Sequence, residues 1–197
     1  MNNPITVDLF VEDRAHEEFL KPFVSRIARE ERVLVSIQVR SARGGHGRAI
    51  QEYKLYQNLL KKFLWGNSWP NVIIVGIDGN CTTFSKKRDE ILKATEPDFK
   101  DRLVFACPDP HIEKWYLSDP ISFHRVVGYT PKVGKKKCER DYYKKMLVQA
   151  IQRAGHPISL GGSEFAIDLV DAMDLYRASH GNHCLKAFVD QLRGKFK

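Results

Sequence analysis

The first 120 residues switch repeatedly between two hydrophobic periods. "ITVDLFVED" (5–13) alternates in twos and is rich in β-branched and aromatic residues, which predicts a strand. "RAHEEFLKPFVSRIAREE" then sets Ala15, Phe19, Phe23 and Ile27 at helical spacing. Pro22 lies inside that run and removes one backbone donor from it. "VLVSIQVRS" predicts a second strand, "ARGGHG" a glycine-rich loop, and "RAIQEYKLYQNLLKKFLWG" an amphipathic helix ended by Gly66. "NVIIVGID" is a third strand. "TTFSKKRDEILKATE" is a third helix, with Thr82, Thr83 and Ser85 as candidate caps and Pro97 beyond its end. "RLVFACPD" is a fourth strand, and "HIEKWYLSD" begins as a helix that stops before Pro120.

Strand alternating with helix predicts an α/β fold with a mostly parallel sheet flanked by helices. After residue 120 the pattern becomes helical: "ERDYYKKMLVQAIQRAG", "SEFAIDLVDAMDLYRAS" and "HCLKAFVDQLRGKF". The expected organisation is an α/β core over 1–120 and a helical extension over 121–197 packed on it, in a single domain. At 197 residues and 43% hydrophobic, the chain suits one core of that size.

In an open α/β sheet, sites form at the carboxyl ends of the strands. Glu12 ends strand one, Asp78 ends strand three, and Glu113 follows strand four after "CPDPH". Parallel neighbouring strands would bring these three acids to one edge. Clustered carboxylates repel one another unless a cation neutralises them, and Mg²⁺ or Mn²⁺ suits oxygen donors. Such an ion can polarise a phosphodiester and activate water.

The net charge is +8, and it is uneven. "PKVGKKKCERDYYKK" carries Lys132, Lys135, Lys136, Lys137, Arg140, Lys144 and Lys145 against Glu139 and Asp141. A basic surface of this kind suits the phosphates of nucleic acid. "RSARGGHGR" adds Arg40, Arg43 and Arg48 beside flexible glycines and a helix start, a second phosphate candidate. "GYTPKVGKKKC" fails as a nucleotide-binding loop, because its glycine spacing is too long and it lacks the Lys-Ser/Thr ending. No apolar run approaches the roughly 18–20 residues of a membrane span, and "MNNPITVDLF" lacks the pattern of a signal peptide. The four cysteines lie far apart without C-x-x-C spacing, which predicts free thiols in a reducing cytoplasm.

A glutamate after the first strand, in "FVEDRAHEEFL", and an aspartate after a later one, in "IVGIDGN", resemble the two signatures of the TOPRIM fold. That fold occurs in topoisomerases, bacterial primases and OLD-family nucleases. "CPDPHIEKWYLSD" also resembles a segment of small stand-alone TOPRIM proteins of the RloB-like kind, which are often encoded beside an ATPase in anti-phage loci. The resemblance spans roughly residues 5 to 120. It implies a TOPRIM-like (Rossmann-like) sheet and a Mg²⁺- or Mn²⁺-dependent nuclease acting on DNA or RNA, including tRNA. It also implies an ATPase partner and an assembly such as a homo-oligomer. Glu12 matches the family glutamate, Asp78 the first aspartate of D-x-D, and Glu113 the glutamate of the RloB-like segment. Asn80 stands where the second aspartate is usual, and Asp13 where a glycine is usual. Asn80 can still offer an amide oxygen but removes one charge. Glu17 lies where nuclease members often carry another acid, and His16 beside it is a candidate proton shuttle. The same departures leave a non-catalytic TOPRIM-like subunit, binding nucleic acid or docking on an ATPase, as the alternative.

Overall fold

Val72–Gly76 is buried along its whole length, as a strand covered on both faces must be. In the computed structural model, which describes residues 3–42, 46–63 and 69–197, this segment is the third of four strands. They are β1 (Ile5–Val11), β2 (Val35–Ser41), β3 (Val72–Gly76) and β4 (Leu103–Ala106). The sheet runs β2-β1-β3-β4, and every pair is parallel. The helices are α1 (Arg14–Glu30), α2 (His46–Phe63), α3 (Phe84–Ala94), α4 (Glu113–Tyr116), α5 (Pro120–Val127), α6 (Tyr142–Arg153), α7 (Ala166–Ala172), α8 (Leu175–His180) and α9 (His183–Phe196). This is the Rossmann-like α/β arrangement that the alternating pattern predicts.

The alternation along β1 assigns the layers. Phe10 meets Tyr53 and Tyr56 of α2, at centroid separations of 5.4 and 5.8 Å. Asp8, on the same face, accepts a hydrogen bond from the Tyr56 hydroxyl at 2.8 Å. The opposite face carries α1, joined by α7 and α9. There Phe19 packs on Tyr116 at 4.7 Å, and Trp115 stacks on Phe188 at 5.5 Å. Leu185, Phe188 and Leu192 of α9 therefore share one core with the sheet. Helix α9 also covers the β4 edge, where the Phe105 N–H donates to Gln191 Oε1 at 3.2 Å. Among the described residues no helix is long and apolar enough to cross a membrane.

Three stretches differ from the periodic reading. Residues 163–179 form a 3₁₀ turn and two α-helices, because Met173 is extended and Asp174 starts α8 by accepting from the Arg177 N–H at 3.0 Å. The backbone groups exposed at that break are satisfied across the fold. Arg26 donates to the Val170 and Met173 carbonyls, and the Asp174 N–H donates to Asp119 Oδ2 at 2.8 Å. Helix α6 begins at Tyr142 rather than Glu139, since Asp141 is left-handed (φ 58°), and the basic run before it is a loop that ends in a turn. The fourth strand ends at Ala106, so Cys107–Asp109 belong to the loop at the sheet's edge.

Asp119 is buried and serves two helices at once. It caps α5 and receives Nε and Nη2 of Arg177 at 3.1 and 3.0 Å. Burial opposes its ionisation, but the Arg177, Ser122 and Asp174 hydrogen bonds outweigh that and hold the carboxyl far below the usual range. A carboxyl depressed in the folded state stabilises it above the unfolded pKa, and that stability is lost as pH falls. Asp119→Asn should therefore cost about 2 kcal/mol in urea unfolding at neutral pH. The gap between mutant and wild type should shrink as pH drops below about 4.

Candidate metal centre

Strands β1 and β3 end side by side, with Val11 opposite Gly76. The next residue, Glu12, donates its N–H to the Gly76 carbonyl at 2.9 Å and is itself buried. Its Oε2 accepts the backbone N–H of Asp78 at 3.0 Å. The carboxylate after one strand thus fixes the backbone after its neighbour. Beyond Asp78 the chain docks on the loop that follows β4. Gly79 donates to the Pro108 carbonyl and Asn80 to the Pro110 carbonyl, each at 2.8 Å. A Cβ on Gly79 would lie 2.9 Å from the Pro108 oxygen, so only glycine allows this approach. Asn80 is left-handed (φ 52°), a conformation asparagine tolerates better than most residues.

These contacts present the Asp78 side chain to three partners. Oδ1 accepts the Ile112 N–H at 2.9 Å, and Oδ2 lies 3.1 Å from His111 Nδ1. His16 Nε2 lies 3.1 Å from Oδ1. The His16 ring is fully buried, and its Nδ1 is 2.8 Å from Oδ1 of Asp13, the N-cap of α1. Gly76 leaves room for Leu20 beneath the ring: a Cβ there would sit 2.7 Å from Leu20 Cδ1, but at an ordinary 3.5 Å from His16 Cδ2.

The His16 Nε2 contact with Asp78 has the distance of an ion pair but not the alignment of a hydrogen bond, so this buried nitrogen has no hydrogen-bond partner. One donor atom from each of Glu12, His16 and Asp78 lies within 4.8 Å of the others. Among the described residues this is the one group of three or more His, Cys, Asp and Glu side chains so placed. Two carboxylates and an imidazole form a donor set for a divalent cation, and the nitrogen suits Mn²⁺ better than Mg²⁺.

The electrostatics are strongly coupled. Burial disfavours charge on His16, but the Asp78 and Asp13 carboxylates raise its pKa well above the ordinary histidine value. Asp78 is lowered in turn: desolvation opposes it, and the two histidines prevail. Asp13 falls to about 2, the hydrogen bonds from His16 outweighing desolvation. The Asp78 hydrogen bond raises the pKa of His111. Burial, then the charge of Asp78, pushes the Glu113 carboxyl up.

Of the acids singled out in the sequence, Glu12 and Asp78 meet in this cluster. Glu113 opens α4 beside it and lines a cavity of about 220 Å³ with Asp13, Arg14, Tyr116 and Lys144. Glu17 points to the end of β2, accepting from Ser41 Oγ at 3.2 Å, and lies outside the three-donor group. His16, read in the sequence as a proton shuttle, occupies the third donor position instead. His111 was not singled out, although it directly follows Pro110 in "CPDPH". Of the basic residues, Arg48 is exposed near the start of α2, and Arg43 lies outside the described residues. Lys137 pairs with Asp109 at 2.6 Å, which brings the basic loop to the site. Lys136 pairs with Glu139 at 2.8 Å and Arg140 lies 3.6 Å from Asp141, whereas Lys132 and Lys135 are exposed. Trp115 is core, and Trp69 packs edge-on against Phe99 at 4.8 Å. Comparison of the chain with protein-family models, curated proteins and solved structures finds no match, so the reading of this site rests on its geometry.

A protonated His16 must lose its proton to serve as a nitrogen donor. Mn²⁺ binding should therefore release protons and tighten as pH rises above about 6.5. Calorimetry in buffers of different ionisation enthalpy checks this. His16→Gln should flatten the pH dependence and weaken binding by at least about tenfold.

Proposed function

We propose that the chain is a metal-dependent nuclease of TOPRIM-like design, hydrolysing phosphodiester bonds in DNA or RNA. The observation that carries this reading is the convergence of Glu12, His16 and Asp78 at the carboxyl edge of a parallel sheet, with the buried Nε2 of His16 facing Asp78 at 3.1 Å outside hydrogen-bond alignment. When bound by these residues, a divalent cation supplies Lewis acidity to a phosphate oxygen and acidifies water. Glu12 and Asp78 contribute the negative charge of the donor set.

The remaining residues divide the work of handling substrate. Glu113 holds its proton more readily than an ordinary glutamate and stands at the wall of the adjoining cavity, a position suited to protonating a leaving oxygen. Arg14 and Lys144 line the same cavity and suit a phosphate. Lys132 and Lys135, exposed on the basic loop, extend the positive surface along which a polyanion would lie. The TOPRIM resemblance adds control by an ATPase partner in a defence system as part of the proposal.

A second reading has its own observation. Asn80 stands where a second aspartate is usual, and Asp78 is already held by three neighbours. Both suit a non-catalytic module that binds nucleic acid.

Incubation of plasmid, single-stranded DNA and tRNA with Mg²⁺, Mn²⁺ or EDTA separates the two. The nuclease reading predicts cleavage that requires metal, is faster in Mn²⁺, and falls by at least about 100-fold in Asp78→Asn with folding intact. Binding that survives Asp78→Asn, without cleavage in either metal alone or with a co-encoded ATPase, would favour the non-catalytic module.

A further inference from the structure

The fold sorts the four cysteines into two kinds. Cys107 and Cys184 are buried, and Cys81 and Cys138 are exposed. The exposed two are far apart in sequence, yet both are anchored to the short segment Pro108–Pro110. Backbone hydrogen bonds from Gly79 and Asn80 to Pro108 and Pro110, each 2.8 Å, dock the loop that continues into Cys81. The 2.6 Å ion pair from Lys137 to Asp109 docks the turn that continues into Cys138. The Cys138 side chain is the main influence on the Cys81 thiol, raising its pKa against the opposing charge of Lys137.

We propose that Cys81 and Cys138 form a reversible disulfide that clamps the basic loop 129–141 onto the loop carrying Asp78. The oxidant is a small-molecule disulfide of the glutathione class. One cysteine thiolate attacks it, forming a mixed disulfide and releasing one glutathione thiolate. The second cysteine thiolate attacks the protein sulfur of that mixed disulfide and releases the other. The two protein thiols are oxidised, one small disulfide is reduced to two thiols, and the two cysteine protons end on the released glutathione. An exposed disulfide of this kind is readily reduced again.

The clamp joins two loops that dock on Pro108–Pro110, one by the Lys137–Asp109 ion pair and the other by the Gly79 and Asn80 backbone hydrogen bonds. Closing it restricts the loop that carries Lys132, Lys135, Lys136, Lys137 and Arg140. It does not depend on the nuclease reading, because its consequences are read from chain chemistry and loop accessibility.

The test equilibrates the full chain in glutathione redox buffers, blocks free thiols, and maps peptides without reduction. Wild type should lose two hydrogens from its intact mass and yield a Cys81–Cys138 cross-linked peptide that a dithiol reductant abolishes. Trypsin cleavage after the loop lysines should slow several-fold on oxidation. Cys81→Ser and Cys138→Ser, both at exposed positions, should fold normally and show no such slowing. Glutathione attached separately to each cysteine, Cys81 joined to a second chain, or a cross-link that leaves trypsin cleavage unchanged would each overturn the proposal.

Discussion

The arrangement depends on one buried carboxylate being satisfied from several directions. A carboxylate removed from water is costly unless hydrogen bonds and opposite charge replace its hydration. Asp78 receives a backbone N–H from Ile112 and the rings of His111 and His16, while its own N–H is held by Glu12. Each contact comes from a different part of the chain. Satisfying Asp78 therefore requires β1, α1, β3 and the loop after β4 to be in place together. The site and the top edge of the sheet are one structure.

The same chemistry elsewhere is structural. Asp119 is buried and bound by Arg177, and it ties α5 to α8. Asp8 is buried beneath α2, bonded to Tyr56 and 3.8 Å from Arg40, with its pKa raised by burial. What separates Asp78 from these is position and company. It follows a strand at the carboxyl edge, beside a second carboxylate and a buried nitrogen with no hydrogen-bond partner.

Much of this was legible in the chain. Two-residue and helical periods located the four strands and the first three helices, and Glu12 and Asp78 converge on the condition that their strands are parallel neighbours, which the pairing of β1 with β3 meets. The rest depends on contacts that local pattern does not encode. His16 and Glu17 are adjacent on α1, and a helix turns them about 100° apart, so the packing of α1 decided which one enters the site. His111 reaches Asp78 because of where the loop after β4 docks. The break at Met173 was hidden because residues 163–179 keep a helical hydrophobic pattern. The groups that compensate the break, Arg26 and Asp119, lie in other elements. Cys81 and Cys138 lie on loops that dock on the same segment, Pro108–Pro110.

The central claim is that Glu12, His16 and Asp78 form a cation site. Anomalous diffraction from crystals soaked in Mn²⁺, recorded on both sides of the manganese absorption edge, tests it most directly. A single strong peak bounded by Glu12, His16 and Asp78 is the result the account predicts. A peak coordinated elsewhere, or none at these residues while His16 stays paired with Asp13 and Asp78, would contradict it.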